Sequence, residues 1–253
     1  DRMSRILQTR APVTVRVNLA RGTREEALRK LAEDGIETDC NGLSPGALTV
    51  RTNPRRLRGS AAFSEGLVEL QDAASQAVVD TLEQTGRTLD YCAGGGGKAL
   101  ALAANPQRQV YAHDVNTARM RDIPRRAERA GADIHILGSD ELVTFAPFDL
   151  VLCDVPCSGS GAWRRNPDGK WALTQSRLDE LNATQRRILR EAAGLVADDG
   201  VLAYATCSVL KCENEDAVRD FLSSHSDWSC VAQTAFDLAP GNDGLFVAHL
   251  MRV

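Results

Sequence analysis

Two cysteines lie where apolar segments end in small polar residues. Cys157 lies in residues 154–161 (DVPCSGSG), a segment that directly follows the apolar residues 150–153. Cys207 lies in residues 204–208 (YATCS). A lone cysteine usually serves as a small core residue. Two thiols, each at the end of an apolar strand and each flanked by small polar residues, instead indicate a reactive site, because a thiolate is a nucleophile.

A glycine-rich segment, residues 90–98 (DYCAGGGGK), forms a second candidate site. Consecutive glycines are costly to order, and they let the backbone approach a ligand closely at the start of a helix. Asp114 follows Gly94 by 20 residues, a spacing at which an acid can bond ribose hydroxyls. The pattern fits both a dinucleotide and S-adenosylmethionine, so this loop alone does not identify the cofactor.

The elements that must position these loops alternate between strand and helix after residue 60. Buried apolar strands separated by helices predict a doubly wound α/β sheet, whose ligands bind at the carboxyl ends of the strands. Both candidate sites follow predicted strands, as such a sheet requires. The predicted helices cover residues 68–84, 98–104, 117–130, 177–195 and 213–223, and the predicted strands cover residues 89–92, 110–113, 134–137, 150–153, 201–206 and 245–251.

The first 60 residues predict a separate, small α+β module. Pro54 and Gly59 mark a linker at its end. We therefore divide the chain into an N-terminal module, residues 1–60, and a catalytic domain, residues 61–253. Within the module the pattern predicts a strand at 13–17, a helix at 25–34 and strands at 36–40 and 47–51.

Composition excludes several classes of protein. No segment is apolar enough to cross a membrane and no secretory signal is present, so we expect no membrane partner. The seven cysteines contain no C-x-x-C pair, which predicts no zinc site and no disulfide framework but a protein of the reducing cytoplasm. The four histidines are scattered, and we expect no metal. The chain begins with Asp1 rather than Met, so we expect a fragment of a longer protein.

Several motifs together carry a resemblance to a known family. Residues 154–161 resemble its D-A-P-C-S-G-T-G motif, residues 164–171 (RRNPDGKW) resemble R-R-H-P-D-x-K-W, and residues 204–210 (YATCSVL) with 213–215 (ENE) resemble Y-A-T-C-S-V-L followed by E-N-E. The chain thus resembles the Sun-type RNA (cytosine-C5) methyltransferases, and within them the bacterial 16S rRNA methyltransferase B group. The resemblance implies a Rossmann-like, S-adenosylmethionine-dependent methyltransferase sheet. It also implies that the NusB-like N-terminal domain, which members of the group often carry, is missing here.

The resemblance assigns the catalytic roles. Cys207 would be the nucleophile that adds to C6 of cytosine, and Cys157 would assist release of the product. Asp154 and Lys98 would bind the edge of the base and help to protonate its ring.

The resemblance also assigns a cofactor site. Asp114 would bond the ribose hydroxyls and Asp140 the adenine, while the glycine loop would hold the methionine end. The implied cofactor-binding residues are Cys92, Ala93, Gly94, Gly95, Gly96, Gly97, Lys98, Asp114, Asp140 and Asp154.

Two departures from the family pattern concern this cofactor site. The family loop reads C-A-A-P-G-G-K-T, whereas residues 92–99 read CAGGGGKA, so the stiffening proline is absent and weaker cofactor binding is expected. The family's acid after the third strand stands in a G-D pair, whereas here Ser139 separates Gly138 from Asp140.

The distribution of charge bears on the substrate. The net charge of −4 argues against a nucleic-acid partner. Residues 1–60, however, hold 12 Lys and Arg against 7 Asp and Glu, a net of +5, whereas residues 61–253 hold 18 against 27, a net of −9. We therefore expect the module at 1–60 to bind RNA, and Arg164 and Arg165 to contact substrate phosphate.

The predicted function is methyl transfer from S-adenosylmethionine to C5 of a cytosine in RNA, specifically 16S rRNA, by a monomer. The same chemistry on tRNA is the alternative. An NAD-dependent thiol dehydrogenase fits the glycine loop but leaves the paired thiols unexplained. A DNA cytosine methyltransferase typically uses one thiol in a Pro-Cys-Gln setting, and a non-catalytic RNA-binding module needs neither thiols nor a glycine loop.

Overall fold

A computed structural model describes residues 2–253 and contains two β-sheets. The larger sheet has seven strands in the order β10-β11-β9-β8-β5-β6-β7. Strands β5 to β9 run parallel, while β11 pairs antiparallel with β9 and β10 pairs antiparallel with β11. The strands are β1 (Val13–Val17), β2 (Thr38–Cys40), β3 (Ala47–Val50), β4 (Val68–Leu70), β5 (Gly86–Asp90), β6 (Arg108–Ala112), β7 (Ile134–Ile136), β8 (Phe148–Asp154), β9 (Val196–Thr206), β10 (Trp228–Phe236) and β11 (Leu245–Arg252).

Helices cover both faces of this sheet, which explains why its central strands are apolar on both sides. Each face buries its own hydrophobic cluster. The predicted doubly wound, Rossmann-like α/β sheet with a small N-terminal module is confirmed. The helices are α1 (Arg2–Leu7), α2 (Arg24–Glu33), α3 (Ala61–Ser64), α4 (Ala73–Asp80), α5 (Gly97–Leu102), α6 (Ile123–Ala130), α7 (Leu142–Phe145), α8 (Asp168–Ala172), α9 (Gln175–Ala193) and α10 (Glu215–Ser224).

The strand order reverses between β5 and β8, which are hydrogen-bonded neighbours. From this point the chain continues to β6 and β7 on one side and to β9, β11 and β10 on the other. Loops that leave the carboxyl ends of strands on either side of such a reversal diverge and leave a crevice between them. The glycine loop follows β5, and the loop that carries Cys157 follows β8.

The N-terminal module is an antiparallel sheet in the order β2-β3-β1-β4, with α2 packed against it. Its last strand, β4, pairs with β1, with Val15 opposite Leu70. The module's sheet therefore takes a strand from beyond the predicted boundary at residue 60. The predicted helix at 68–84 begins only at Ala73, because the Asp72 side chain caps the backbone N–H of Ala74.

The module is held against the catalytic sheet through β4 and α6. Glu69 of β4 accepts from Arg129, at 2.5 Å, and from Arg126, at 3.5 Å. Asn18 donates to the carbonyl of Ala130, at 2.8 Å. A side chain at Gly66 would lie 1.8 Å from the carbonyl oxygen of Arg129. The two units are therefore packed directly together rather than joined by a free linker.

Two further predicted elements differ in the structure, and one strand was not predicted. Residues 117–130 form a short 3₁₀ helix followed by α6, and residues 213–223 form the end of a 3₁₀ helix followed by α10. Strand β10 was not predicted, because it lies at the sheet edge and most of its residues are partly or fully exposed, without a continuous apolar run. No helix within residues 2–253 has both the length and the apolar character needed to cross a membrane.

Candidate active site

The two predicted thiols meet at the carboxyl ends of neighbouring strands. Cys157 follows β8 and Cys207 follows β9, and these strands pair in parallel. Their Sγ atoms lie 3.4 Å apart, within hydrogen-bond distance for sulfur, and both residues are half-buried. The fold thus brings together two side chains that are 50 residues apart in the chain.

The surroundings of the two thiols shift their pKa values in opposite directions. The hydrogen bond with Cys157 lowers the pKa of Cys207, and together with the Lys98 ammonium it outweighs the opposing effects of burial and of the Asp154 carboxylate. The same hydrogen bond, together with burial, raises the pKa of Cys157 well above its usual value. The negative charge of the pair is therefore favoured on Cys207.

Lys98 and Asp154 form an ion pair beside the thiols. Lys98 Nζ lies 2.6 Å from Asp154 Oδ2 and 3.3 Å from Ser75 Oγ, and the lysine side chain is buried. Burial opposes the charge on the ammonium, but Asp154 outweighs that effect, so the pKa of Lys98 is raised. The lysine is therefore a fixed cation, and the half-buried Asp154 carboxylate keeps a second oxygen that could accept from a ligand.

The glycine loop turns sharply between β5 and α5. Gly94 and Gly96 have φ angles of 52° and 79°, in the left-handed region that favours glycine. The backbone N–H of Gly94 donates to Asp114 at 3.0 Å, and Arg119 pairs with the same carboxylate oxygen at 2.9 Å. The loop is thereby held against the end of β6.

A cavity of about 410 Å³ opens beside Asp114. This volume falls in the range of small-molecule sites. The cavity extends from the glycine loop to Pro156, the residue before Cys157, so a ligand in it would end next to the thiols. It is lined by Tyr91, Cys92, His113, Asp114, Val115, Arg119, Ser139, Leu142, Pro156, Thr184, Arg187, Ile188 and Glu191.

Asp140, the residue predicted to reach the adenine, is exposed and does not line this cavity. Ser139 lines it instead, and its Oγ lies 3.0 Å from His113 Nε2. The extra residue between Gly138 and Asp140 explains this difference, because it puts serine where the family motif has its acid. Binding of the adenine by Asp140 therefore stays a prediction, and Ser139 is the member of this pair that lines the cavity.

Comparison with known proteins identifies the family. The family model described as 16S rRNA methyltransferase RsmB/F matches residues 77–251. A second model, the RsmF/B-like ferredoxin-like domain, matches residues 1–57. The chain belongs to the RsmB/F family of 16S rRNA methyltransferases. The methyl donor of this family is S-adenosylmethionine.

Relatives and solved structures agree with this RsmB/F assignment. The ribosomal RNA small subunit methyltransferase B of Cronobacter sakazakii is 35% identical over 260 residues, and that of Serratia proteamaculans is 32% identical over 259 residues. The chain spans about 60% of the length of each of these relatives. The crystal structure of PH0851 is 30% identical, with a TM-score of 0.89, over 98% of this chain and 61% of that one. A methyltransferase homologue from Pyrococcus horikoshii is 21% identical, with a TM-score of 0.86, over 100% of this chain and 90% of that one, and it supports the fold alone.

A buried carboxylate that received no role from the sequence links the two thiol loops of this RsmB/F chain. Glu213 accepts hydrogen bonds from the backbone N–H of Ser158 at 2.8 Å, from Ser208 Oγ at 2.6 Å and from Gln185 at 3.1 Å. Ser158 follows Cys157 and Ser208 follows Cys207. The E-N-E motif contained this residue, but its partners lie in three separate segments and only the fold reveals them.

Arg164 and Arg165, both predicted to contact substrate phosphate, differ in the exposure of their side chains. The Arg164 side chain is 0% exposed and pairs with Asp243 at 2.9 Å, so its guanidinium group is not presented to solvent. Arg165 is partly exposed and pairs with Asp243 and Asp72. The contact of Arg164 with phosphate stays a prediction, and its ion pair with Asp243, 79 residues away along the chain, could not be identified from the local motif.

Among residues 2–253, no group of three or more His, Cys, Asp and Glu side chains could hold a metal ion.

Proposed function

We propose that this chain transfers a methyl group from S-adenosylmethionine to C5 of a cytosine in 16S rRNA, through a covalent bond between Cys207 and C6 of the base. The contact of 3.4 Å between Cys157 and Cys207, beside the Lys98–Asp154 ion pair, is the observation that carries the proposal. All seven cysteines are free thiols, which favours a reducing compartment, and we place the monomeric protein in the cytoplasm.

The proposed chemistry overcomes the low nucleophilicity of C5. Addition of the Cys207 thiolate at C6 forms an S–C bond, breaks the conjugation of the ring and makes C5 enamine-like. The bound cofactor supplies an electrophilic methyl group to that carbon. The methyl donor leaves as S-adenosylhomocysteine, a base takes the C5 proton, and the S–C6 bond breaks with its electron pair returning to sulfur, which restores the aromatic ring and the Cys207 thiolate. Cys157 assists this last step, because its sulfur lies beside that of Cys207.

The remaining residues hold the two reactants. Lys98 and Asp154 bind the polar edge of the cytosine, which must be unpaired or flipped out because C6 cannot be reached within a base stack. The cofactor fits the cavity beside Asp114, where the carboxylate is already oriented by the backbone N–H groups of Gly94 and Asn116. Ser139 faces the adenine end.

Transfer of tritiated methyl groups to unmethylated 16S rRNA, followed by bisulfite mapping, tests the proposed reaction. We expect Cys207→Ala to abolish transfer and Cys157→Ala to accumulate a protein–RNA adduct on a denaturing gel. Cys40→Ala, which changes an exposed thiol of the N-terminal module, is the matched control and should remain active.

Wild-type activity in Cys207→Ala would contradict the assignment of the nucleophile. An adduct in Cys207→Ala rather than in Cys157→Ala would show that the two roles are reversed. The same assay with tRNA as the acceptor separates the proposed substrate from its alternative.

A further inference from the structure

Helix α8 carries a large, exposed aromatic side chain, Trp171, that has no role in the chemistry above. Trp171 is 81% exposed on α8, a helix that contains no buried residue. An exposed tryptophan is unfavourable in water, and aromatic side chains of this size are enriched at binding surfaces. Its exposure therefore points to a ligand.

Trp171 borders a cleft of about 400 Å³ between α1 and the segment that follows the Cys157 loop. Arg165 donates to the carbonyl of Pro12 at 3.2 Å, which ties the chain after α1 to this segment. The cleft is lined by Ser4, Leu7, Gln8, Trp163, Pro167, Lys170 and Trp171.

One wall of the cleft is directly bonded to the reactive loop. The indole N–H of Trp163 donates to the carbonyl of Ser158 at 3.1 Å, and Ser158 follows Cys157. A ligand in the cleft would therefore contact a side chain that is hydrogen-bonded to the loop carrying Cys157.

The charge around the cleft favours a polyanion. The ammonium of Lys170 lies 5.2 Å from the centre of the Trp171 ring. Arg2, Arg5 and Arg10 are exposed on and just after α1, and they form no ion pair with any other residue in the range 2–253. Aromatic platforms next to cations are how proteins bind single-stranded nucleic acid without reading its sequence.

We propose that this cleft binds an unpaired nucleotide of the RNA that flanks the target cytosine, with its base stacked on Trp171 and its phosphate near Lys170. The inference rests on the proposed function, since it takes RNA to be the substrate. The exposed ring, the cleft volume and the uncompensated cations together favour a nucleotide over a protein segment.

Binding of an unmodified 16S rRNA transcript to the full chain without a methyl donor tests this site. Stacking on an aromatic side chain contributes about 1–3 kcal/mol per base, so Trp171→Ala should weaken RNA binding by about tenfold or more. Trp171→Phe should recover most of that loss, and only proteins that retain Trp171 should show its fluorescence quenched by RNA. Lys170→Gln should reduce the dependence of binding on salt.

The control variant is Val231→Ala, which changes an exposed apolar residue on the edge strand β10 and should leave RNA binding unchanged. All variants should bind S-adenosylmethionine like the wild type. Unchanged RNA affinity in Trp171→Ala, while the wild type methylates C5 of cytosine, would overturn the nucleotide site alone. A wild type that binds RNA but does not methylate cytosine would overturn the proposed function instead. RNA affinity lost equally in Trp171→Ala and Trp171→Phe would also contradict the stacking role.

Discussion

At the scale of single residues, the central feature of the site is that two similar thiols differ in pKa, so that one of them is favoured as the thiolate. Cys157 and Cys207 follow adjacent strands and occupy similar half-buried positions. The hydrogen bond between them and the nearby Lys98 favour the thiolate on Cys207. The two thiols are therefore distinguished first by their hydrogen bond to each other and then by neighbouring charges.

Glu213 should act as a positioning residue. In Glu213→Gln an amide replaces a carboxylate that accepts from Ser158 and Ser208, so one of these donors would face an N–H group. Because displacement of a reacting group by about 1 Å can cost roughly 100-fold in rate, we expect a fall in kcat of that order. The KM for S-adenosylmethionine should stay near that of the wild type.

Glu180→Gln changes an exposed carboxylate on α9 and is the control for this prediction. A variant of Glu213 in which kcat is retained while only the thermal midpoint falls would show a purely structural role.

Asp90 should give the stability of the protein a distinctive dependence on pH. Burial, and then the nearby charge of Asp154, raise its pKa to about 7, whereas an unfolded aspartate titrates near pH 3.9. Between these values the folded state holds a proton that the unfolded state has lost, so this residue reduces stability as pH rises. The effect should reach about 4 kcal/mol above pH 7.

Asp90→Asn lacks this titration. Urea unfolding at pH 5, 6, 7 and 8 should therefore show the stability of Asp90→Asn increasing relative to the wild type as the pH rises. Parallel pH profiles for the two proteins would contradict the raised pKa.

At the scale of elements, the site depends on a close approach between two loops. The N–H of Gly161 donates to the carbonyl of Cys207 at 3.0 Å, and the carbonyl of Gly161 accepts from the N–H of Gly244, also at 3.0 Å. A side chain at Gly161 would lie 2.0 Å from the carbonyl oxygen of Gly244. Only glycine allows the β8, β9 and β11 ends to approach in this way.

Gly161→Ala should therefore separate these loops. We expect a loss of about 1–3 kcal/mol in the free energy of unfolding, typical of overpacking, together with loss of methyl transfer. Gly42→Ala, at a position with open space around it, is the control and should change neither quantity appreciably. Full activity in Gly161→Ala would show that this close approach is dispensable.

At the scale of the whole molecule, charge is divided between two packed units. Residues 1–60 carry a net charge of +5, and residues 61–253 carry −9. Three exposed arginines, Arg55, Arg56 and Arg58, lie on or beside one 3₁₀ turn at the end of the module. Because β4 completes the module's sheet, deletion of residues 1–60 would also disrupt that sheet, so substitution is the cleaner test.

Replacing Arg55, Arg56 and Arg58 together with Gln should weaken RNA binding. The slope of log K against log salt should fall by up to about 0.7–0.9 for each of these arginines that neutralises a phosphate in the wild type. The matched control replaces three arginines that are held in ion pairs on α9 and α10. An equal change of slope in both triple variants would show that only net charge matters, and that the module has no special role. The control positions are Arg177, Arg186 and Arg219.

Local sequence patterns were sufficient to predict the class of sheet, the strand-end loops and the residues that could react. Periods of apolar residues are local, and the carboxyl ends of parallel strands share one edge, so Cys157, Cys207 and Lys98 could be expected near one another. The family resemblance of residues 154–161 and 204–210 added the chemistry.

The tertiary structure determines which long-range partners these residues meet. It buried Arg164 against Asp243, put Ser139 rather than Asp140 at the cavity, and joined the two thiol loops through Glu213. It also added β4 to the N-terminal sheet. Each of these outcomes depends on packing between segments far apart in the chain, where burial and hydrogen-bond satisfaction outweigh any local pattern.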